Sequence, residues 1–542
     1  MLAHTLNALR TYMHGNGAAL LPEMELLLFA VGILVMDRWV ERDEKYWSPS
    51  LALAGTIFSA LTLWMLQARI HNTGDFTAYQ ESIVVDSYFL FFAALSLAGT
   101  MMVILLSIND PAMRDVSAGR FYALLLLACM GAMLMISAAG LLVIFLSLEI
   151  SAAGAYFLTA TPRFRKRSAP AALKFMFASA LGSALLAYGF SLLYGLSAST
   201  NIGQIATTLN RRQNLAAAIA LSRQPGPHAA QMYELIQRRM PEALHWHPFI
   251  LQVLPIAALS FFLAGMVLKL AATRFRPAPE KTSWIIAPPA ALFLSGGFAA
   301  ATIAVLVRLL LTTFGDFQPI WSYMFAVIAV AMIALGICAT LPGVRRIWPS
   351  LAHLPEANLE RVLAWSTVSQ IGYMLLGLVA ANQASFTAMG YYLLTYLFIL
   401  TGAFAVLVGL HCSGDSAREL CDLHGLRRRS PAAALLLTIF LLSLAGFPPA
   451  AGFFGRHFLF HELVETGHRY LAWFLAISSL PLAYAYLRVA VLIWRSDAHA
   501  EYQPLAFSTP QSIVLGICVF VSLAAGLYSE PFLRVARYAF GQ

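Results

Sequence analysis

Apolar runs of roughly 20 residues, separated by short polar turns, recur from one end of the chain to the other. Set against a hydrocarbon core of about 30 Å, they predict membrane-spanning helices near 20–40, 47–67, 84–107, 119–137, 139–161, 168–197, 249–273, 284–313, 318–341, 359–381, 385–410, 430–464, 468–495 and 509–532, about fourteen in all. Two runs carry prolines where a helix must stop. After Lys269 comes Arg274-Phe275-Arg276-Pro277-Ala278-Pro279, and inside the twelfth run comes Ala445-Gly446-Phe447-Pro448-Pro449-Ala450-Ala451-Gly452. Proline lacks an N–H donor and clashes with the preceding turn, so each stretch interrupts its helix. Paired interruptions point to inverted repeats, here the fourth to eighth spans against the ninth to thirteenth; prolines that only kink buried helices are the alternative.

Basic residues in the short loops set the orientation. One alternating set holds Arg38, Arg42 and Lys45; Arg114 and Arg120; Arg163, Arg165, Lys166 and Arg167; Arg345 and Arg346; and Arg427, Arg428 and Arg429. The other set is nearly bare, so the first is cytoplasmic. An even number of spans then places both termini, and the polar segment at about 198–248 with its short surface helices, on the opposite side. The first run, following Pro22, reads as a retained span rather than a cleaved signal.

Composition agrees with a lipid environment. The 542 residues are 60% hydrophobic and 11% charged, with a mean hydropathy of +0.72. The net charge of +9 comes from loop residues and forms no basic patch with interleaved aromatics, so nucleic acid is not indicated as a partner. Cys129, Cys338, Cys412, Cys421 and Cys518 show no CxxC spacing, so they suggest neither a zinc site nor an iron–sulfur cluster.

A charge at the centre of a membrane helix costs about 2.5–3.5 kcal/mol even on the lenient insertion scale, so each such residue needs a partner or a task. Glu149 lies mid-span in Leu146-Ser147-Leu148-Glu149-Ile150 and reads as a proton-transfer carboxyl or as half of a structural ion pair. Lys269 sits beside the first helix break and is either a proton-exchanging lysine or one that snorkels to the interface. Lys174 is closer to its span end and open to the same two readings. Arg456 keeps its proton at any biological pH, so it sets a potential without relaying a proton of its own. His457 and His461 share one helix face near Glu462 and read as a relay, a metal pair or hydrogen-bonded structural histidines. Tyr484 and Tyr486 are candidates for orienting water, or interfacial belt residues. Asp86, at the start of the third span, reads as a cap or an interfacial group.

Pro22-Glu23, Leu148-Glu149-Ile150, Ala171-Ala172-Leu173-Lys174-Phe175, Leu192-Leu193-Tyr194-Gly195, Leu363-Ala364-Trp365-Ser366-Thr367 with Gly372-Tyr373, Leu444-Ala445-Gly446-Phe447-Pro448-Pro449 with Gly452-Phe453, and Tyr486-Leu487-Arg488-Val489 occur in an order that resembles subunit N of respiratory NADH:quinone oxidoreductase, complex I. The resemblance implies an all-α, antiporter-like membrane fold with two inverted five-helix repeats at 119–313 and 318–495, preceded by a three-helix segment at 1–118 and followed by a C-terminal helix at 509–542. It implies a bacterial inner membrane with both termini periplasmic, and other membrane-arm subunits as partners. NAD, FMN, iron–sulfur clusters and quinone then belong to partner subunits, with no cofactor in this chain.

The resemblance also pairs Glu149 with Lys269 and adds Lys174, with Arg456 and His457 as a modified exit. Departures accompany it: Arg276 stands where the family carries histidine, Ala299 and Arg456 where it carries lysines, and Gln370 where it carries histidine. The loops at about 205–248 and 342–356 are longer than the family norm. These departures keep two further readings open, a non-conducting structural subunit of the same complex and a cation/proton antiporter or hydrogenase-associated relative.

Overall fold

The apolar runs fold as helices. The computed structural model describes residues 16–39, 47–108, 117–160, 168–222, 248–272, 292–293, 296–341, 359–412, 423, 425–495 and 507–541, with the side chains of some of them, Lys174 among these, outside the description. Arg274 to Pro279 and the loop at 342–356 also lie outside the described residues.

A 3-10 turn, Asn16–Leu20, leads into α1 (Leu21–Trp39) and α2 (Trp47–Thr73). A small antiparallel hairpin follows, β1 (Phe76–Ala78) and β2 (Ile83–Val85), with Phe76 opposite Val85. Then come α3 (Ser87–Ser107), α4 (Ala118–Ser137), α5 (Leu141–Ala160), α6 (Ser168–Ser197), α7 (Ile202–Ser222) and α8 (Pro248–Ala272). The second part holds α9 (Gly297–Thr313), α10 (Gln318–Thr340), α11 (Leu359–Ala380), α12 (Gln383–Cys412), α13 (Pro431–Ala445), α14 (Ala451–Glu465), α15 (Arg469–Trp494), α16 (Thr509–Leu527) and α17 (Glu530–Phe540).

Among the described residues, 12 helices are long and apolar enough to cross a membrane, short of the fourteen expected. The two shortfalls are informative. The eighth expected run is represented by α9, and the twelfth is divided into α13 and α14. At that division Gly446 takes φ of +83°, its N–H bonds to the Ser443 carbonyl at 3.1 Å, and the Phe447 N–H bonds to the Leu442 carbonyl at 3.0 Å. This left-handed terminus is the ordinary way to end a helix on glycine, and the expected interruption is present. The hairpin and α17 were not expected.

Lipid supplies no hydrophobic drive between helices, so close packing must come from small residues. A Cβ on Gly131 of α4 would lie 2.7 Å from the Ser151 nitrogen of α5, and one on Gly336 of α10 would lie 2.7 Å from the Ser369 nitrogen of α11. Of the 12 long helices, the most deeply buried are α3, α11 and α12, and α12 packs against α11, α13, α14, α16 and α17.

Candidate functional site

Glycines determine how α6 and α8 meet. A Cβ on Gly182 would lie 2.9 Å from the Lys269 Cγ and 3.1 Å from the Gly265 carbonyl, and a Cβ on Gly265 would lie 2.8 Å from the Gly182 carbonyl. Each glycine makes room for the other's backbone, and the Lys269 stem runs through the space so created. Its ammonium donates to Glu149 Oε1 at 2.7 Å and to Ser179 Oγ at 3.4 Å. The same carboxylate oxygen accepts the Ser183 hydroxyl at 2.6 Å. Lys269 is 1% exposed and Glu149 34%, so the carboxylate forms the open edge of the pair. Ser179 and Ser183, one turn apart on α6, escaped the sequence reading. Their signal was two hydroxyls at i, i+4 spacing in an otherwise apolar run.

A second polar cluster surrounds the helix break. α13 ends at Ala445, leaving carbonyls without intrahelical donors, and Arg456 of α14 turns back onto them. Its Nη1 donates to the Ala445 carbonyl at 2.9 Å, its Nη2 to the Leu444 carbonyl and, at 3.3 Å, to Gln370 Oε1, and its Nε to the Tyr392 hydroxyl at 3.1 Å. The Tyr392 hydroxyl donates to Gln370 Oε1, while Gln370 Nε2 donates to Leu444 O at 3.3 Å and to the Tyr486 hydroxyl at 3.5 Å. The guanidinium carbon lies 5.1 Å from the centre of the Tyr373 ring, whose hydroxyl accepts from Ser478 at 3.3 Å. Among the described residues no carboxylate reaches Arg456.

The other candidates separate. Tyr486 is fully buried in this cage, whereas Tyr484 is 62% exposed and faces away from it. His457, next to Arg456 in sequence, is exposed and stacks on Phe453 with ring centroids 5.8 Å apart. His461 lies on the same outward face, 3.5 Å from Glu462, whose carboxylate accepts from Asn382 at 3.0 Å. The two histidines therefore do not join the Arg456 cage. No group of three metal-ligating side chains occurs among the described residues. Ala299 is buried in α9, and Thr302, one turn on, bonds its own helix at the Phe298 carbonyl at 2.7 Å. Asp86 caps α3 by accepting from the Phe89 N–H at 2.7 Å, and also pairs with Arg308 of α9 at 2.7 Å.

An ammonium buried against a partly open carboxylate in an apolar bundle, together with a buried cation at a helix break elsewhere in the chain, is the chemistry of a polytopic protein that moves protons or small cations. The chain belongs to the NADH:quinone oxidoreductase/Mrp antiporter family of transmembrane proteins, which matches residues 138–480. It is 32% identical over 530 residues to NADH-quinone oxidoreductase subunit N 1 of Koribacter versatilis, covering 96% of this chain and 94% of that one. Its fold matches a chain of respiratory complex I from Thermus thermophilus with a TM-score of 0.67 at 23% identity, covering 95% of this chain and 98% of that one. It also matches a chain of the membrane-bound sulfane sulfur reductase, an archaeal respiratory membrane complex, with a TM-score of 0.74 at 17% identity, covering 96% and 97%.

Proposed function

We propose that this chain is a membrane-arm subunit, of the subunit N type, in a proton-translocating NADH:quinone oxidoreductase, with Glu149 and Lys269 as its proton-transfer pair. The observation that carries this reading is the 2.7 Å contact between a nearly inaccessible ammonium and a carboxylate at the bundle's edge. In a low-dielectric interior the two charges hold each other, and a change of charge next to either one releases the other to exchange a proton. Ser179 and Ser183 keep hydrogen-bond partners within reach of both groups during the exchange. Lys174, on the same helix as the two serines, is the candidate third member of this path.

In this reading the chain binds no cofactor. NAD, FMN, iron–sulfur clusters and quinone reside in partner subunits, and the chain lies in a bacterial inner membrane with both termini on the periplasmic side. The family name covers two assemblies, an oxidoreductase and an antiporter, and purification separates them. Tagged chain extracted in mild detergent is expected to bring along redox subunits that oxidise NADH and show iron–sulfur paramagnetic resonance. An antiporter bundle free of redox centres overturns the assignment.

A second reading rests on Ala299 and the Arg456 cage. With no titratable group around Ala299 in α9 and a cation at Arg456 that keeps its proton, the chain is a structural subunit of the same complex that does not conduct.

A further inference from the structure

Arg488 is exposed on the outside of α15, six residues before the end of that membrane-spanning helix and so about 9 Å inside it. A guanidinium on an apolar membrane face is costly unless an anion or water meets it. Among the described residues no carboxylate pairs with it. It belongs to the stretch Tyr486-Leu487-Arg488-Val489, and the Glu149–Lys269 pair makes no use of it.

The face around Arg488 has the pattern of a bilayer boundary. Tyr470, Trp473, Ile477, Leu480, Tyr484 and Val491 are all exposed. They recur every three or four residues, so they form one stripe, with Arg488 between its last two members. Aromatic rings mark both ends. Trp473 and Trp494 are 21 residues apart in α15, which is about 32 Å along the helix and close to the bilayer's hydrocarbon thickness of about 30 Å. Aromatic belts at both interfaces mark helices that meet lipid.

Further arginines gather at the same end of the helix. Arg495 follows Arg488 by two turns on the same face. Its carbonyl accepts the Gly425 N–H at 3.0 Å, which ties the helical turn Leu426–Arg429 to this end of α15. From that turn the Arg427 guanidinium lies over the Trp494 ring, 5.3 Å from its centre, and the ring is held by donating from Nε1 to Thr438 Oγ1 at 2.9 Å. Arg427 and Arg495 are exposed, and among the described residues neither pairs with a carboxylate.

We propose that Arg427, Arg488 and Arg495 hold the headgroup of an anionic phospholipid whose acyl chains run along the exposed stripe of α15. Arg488 and Arg495 are about 10 Å apart along the axis, a gap that two long side chains span to share one phosphate. The planar guanidinium fork suits a phosphate. Three cations without a carboxylate favour a lipid of net negative charge over a zwitterionic one. The bound phosphate gives Arg488 its missing anion and fixes the outer face of α15, whose inner face carries Tyr486 of the Arg456 cage. The site needs only a lipid-facing α15, so it does not depend on whether Glu149 and Lys269 move protons.

Photolabelling of the intact, detergent-purified complex tests the site. A phosphatidylglycerol probe with a diazirine on its acyl chain is compared with a phosphatidylcholine probe carrying the same chain, and labelled peptides are mapped by mass spectrometry. The parent is expected to show labelling of 477–491 by phosphatidylglycerol about fivefold or more above phosphatidylcholine. Equal labelling by the two probes, as when Arg488 merely snorkels to interfacial water, overturns the proposal. So does an unlabelled α15 crosslinked instead to a neighbouring subunit. This comparison needs no variant.

Arg488→Gln with Arg495→Gln removes two charges and is expected to lower phosphatidylglycerol labelling on the order of tenfold. Arg488→Lys with Arg495→Lys keeps both charges and is expected to retain most of it. Labelling that persists in the assembled glutamine variant, or that is lost equally in the lysine variant, shows that the charges do not hold the lipid and overturns the site.

Discussion

Lys269 reaches across from α8 to Glu149 on α5 at 2.7 Å, and the lysine is buried while the carboxylate is partly open. The pair spans 120 positions of sequence and is closed by the glycine contact between α6 and α8. Removing one member leaves the other's charge without its partner, a loss of about 3–5 kcal/mol for a buried pair. Glu149→Ala and Lys269→Ala are each expected to lower the thermal stability of the assembled subunit. The double substitution should recover part of that loss in a double-mutant cycle. Strict additivity of the two single effects would show that the ion pair is not formed in the assembled protein.

The glycine contact offers a test that leaves the charges untouched. Gly182→Val places methyl groups where the Lys269 stem and the Gly265 carbonyl already lie, and overpacking of this kind costs about 1–3 kcal/mol. The variant is expected to assemble with reduced thermal stability and reduced proton translocation. Full translocation in Gly182→Val would mean that the α6–α8 approach does not position the lysine.

Glu23 of α1 is a buried carboxyl outside both clusters. It is 3% exposed, and among the described residues neither oxygen has a hydrogen-bond partner. Ionised, a group in such a place costs several kcal/mol. Glu23→Gln, equal in shape and always neutral, is therefore expected to match or exceed the parent in thermal unfolding. A clear loss of stability would show that the charge itself is needed there.

The pairing of Asp86 with Arg308 ties α3 to α9 at the hairpin end, with Tyr88 donating to the Ala304 carbonyl at 2.7 Å beside it. Asp86→Ala removes a helix cap worth about 0.5–2 kcal/mol and leaves a buried arginine without its carboxylate. Asp75, in the turn before β1, has its carboxyl raised above the ordinary aspartate range, first by burial and then by the negative charge of Asp86. A carboxyl raised in the folded state favours folding below its unfolded value of about 3.9, and that contribution disappears as pH climbs through the raised value. The protection factor against hydrogen exchange at 76–85, with the intrinsic base-catalysed rise of the rate divided out, is thus expected to fall over that window. Asp75→Asn should flatten the dependence, and a dependence that persists would assign it to another group.

Much of this was legible in the sequence because a bilayer leaves few options. Long apolar runs must be helices, prolines beside glycine must break one, and charges such as Glu149 and Lys269 stand out against an apolar background. Periodicity did not reveal partners. Ser179, Ser183 and Tyr392 look like ordinary helix residues until tertiary packing brings them to a charge. His457 was grouped with Arg456 by adjacency, yet neighbours on a helix point about 100° apart, and one faces the cage while the other faces outward. The hairpin at 76–85 was hidden because its strands are only three residues each.

The most direct test is the number of protons moved per NADH oxidised by complex reconstituted with Glu149→Gln, beside the parent and with assembly checked on native gels. The pairing of Glu149 with Lys269 predicts a lower stoichiometry in the variant. An unchanged stoichiometry in fully assembled complex would contradict it.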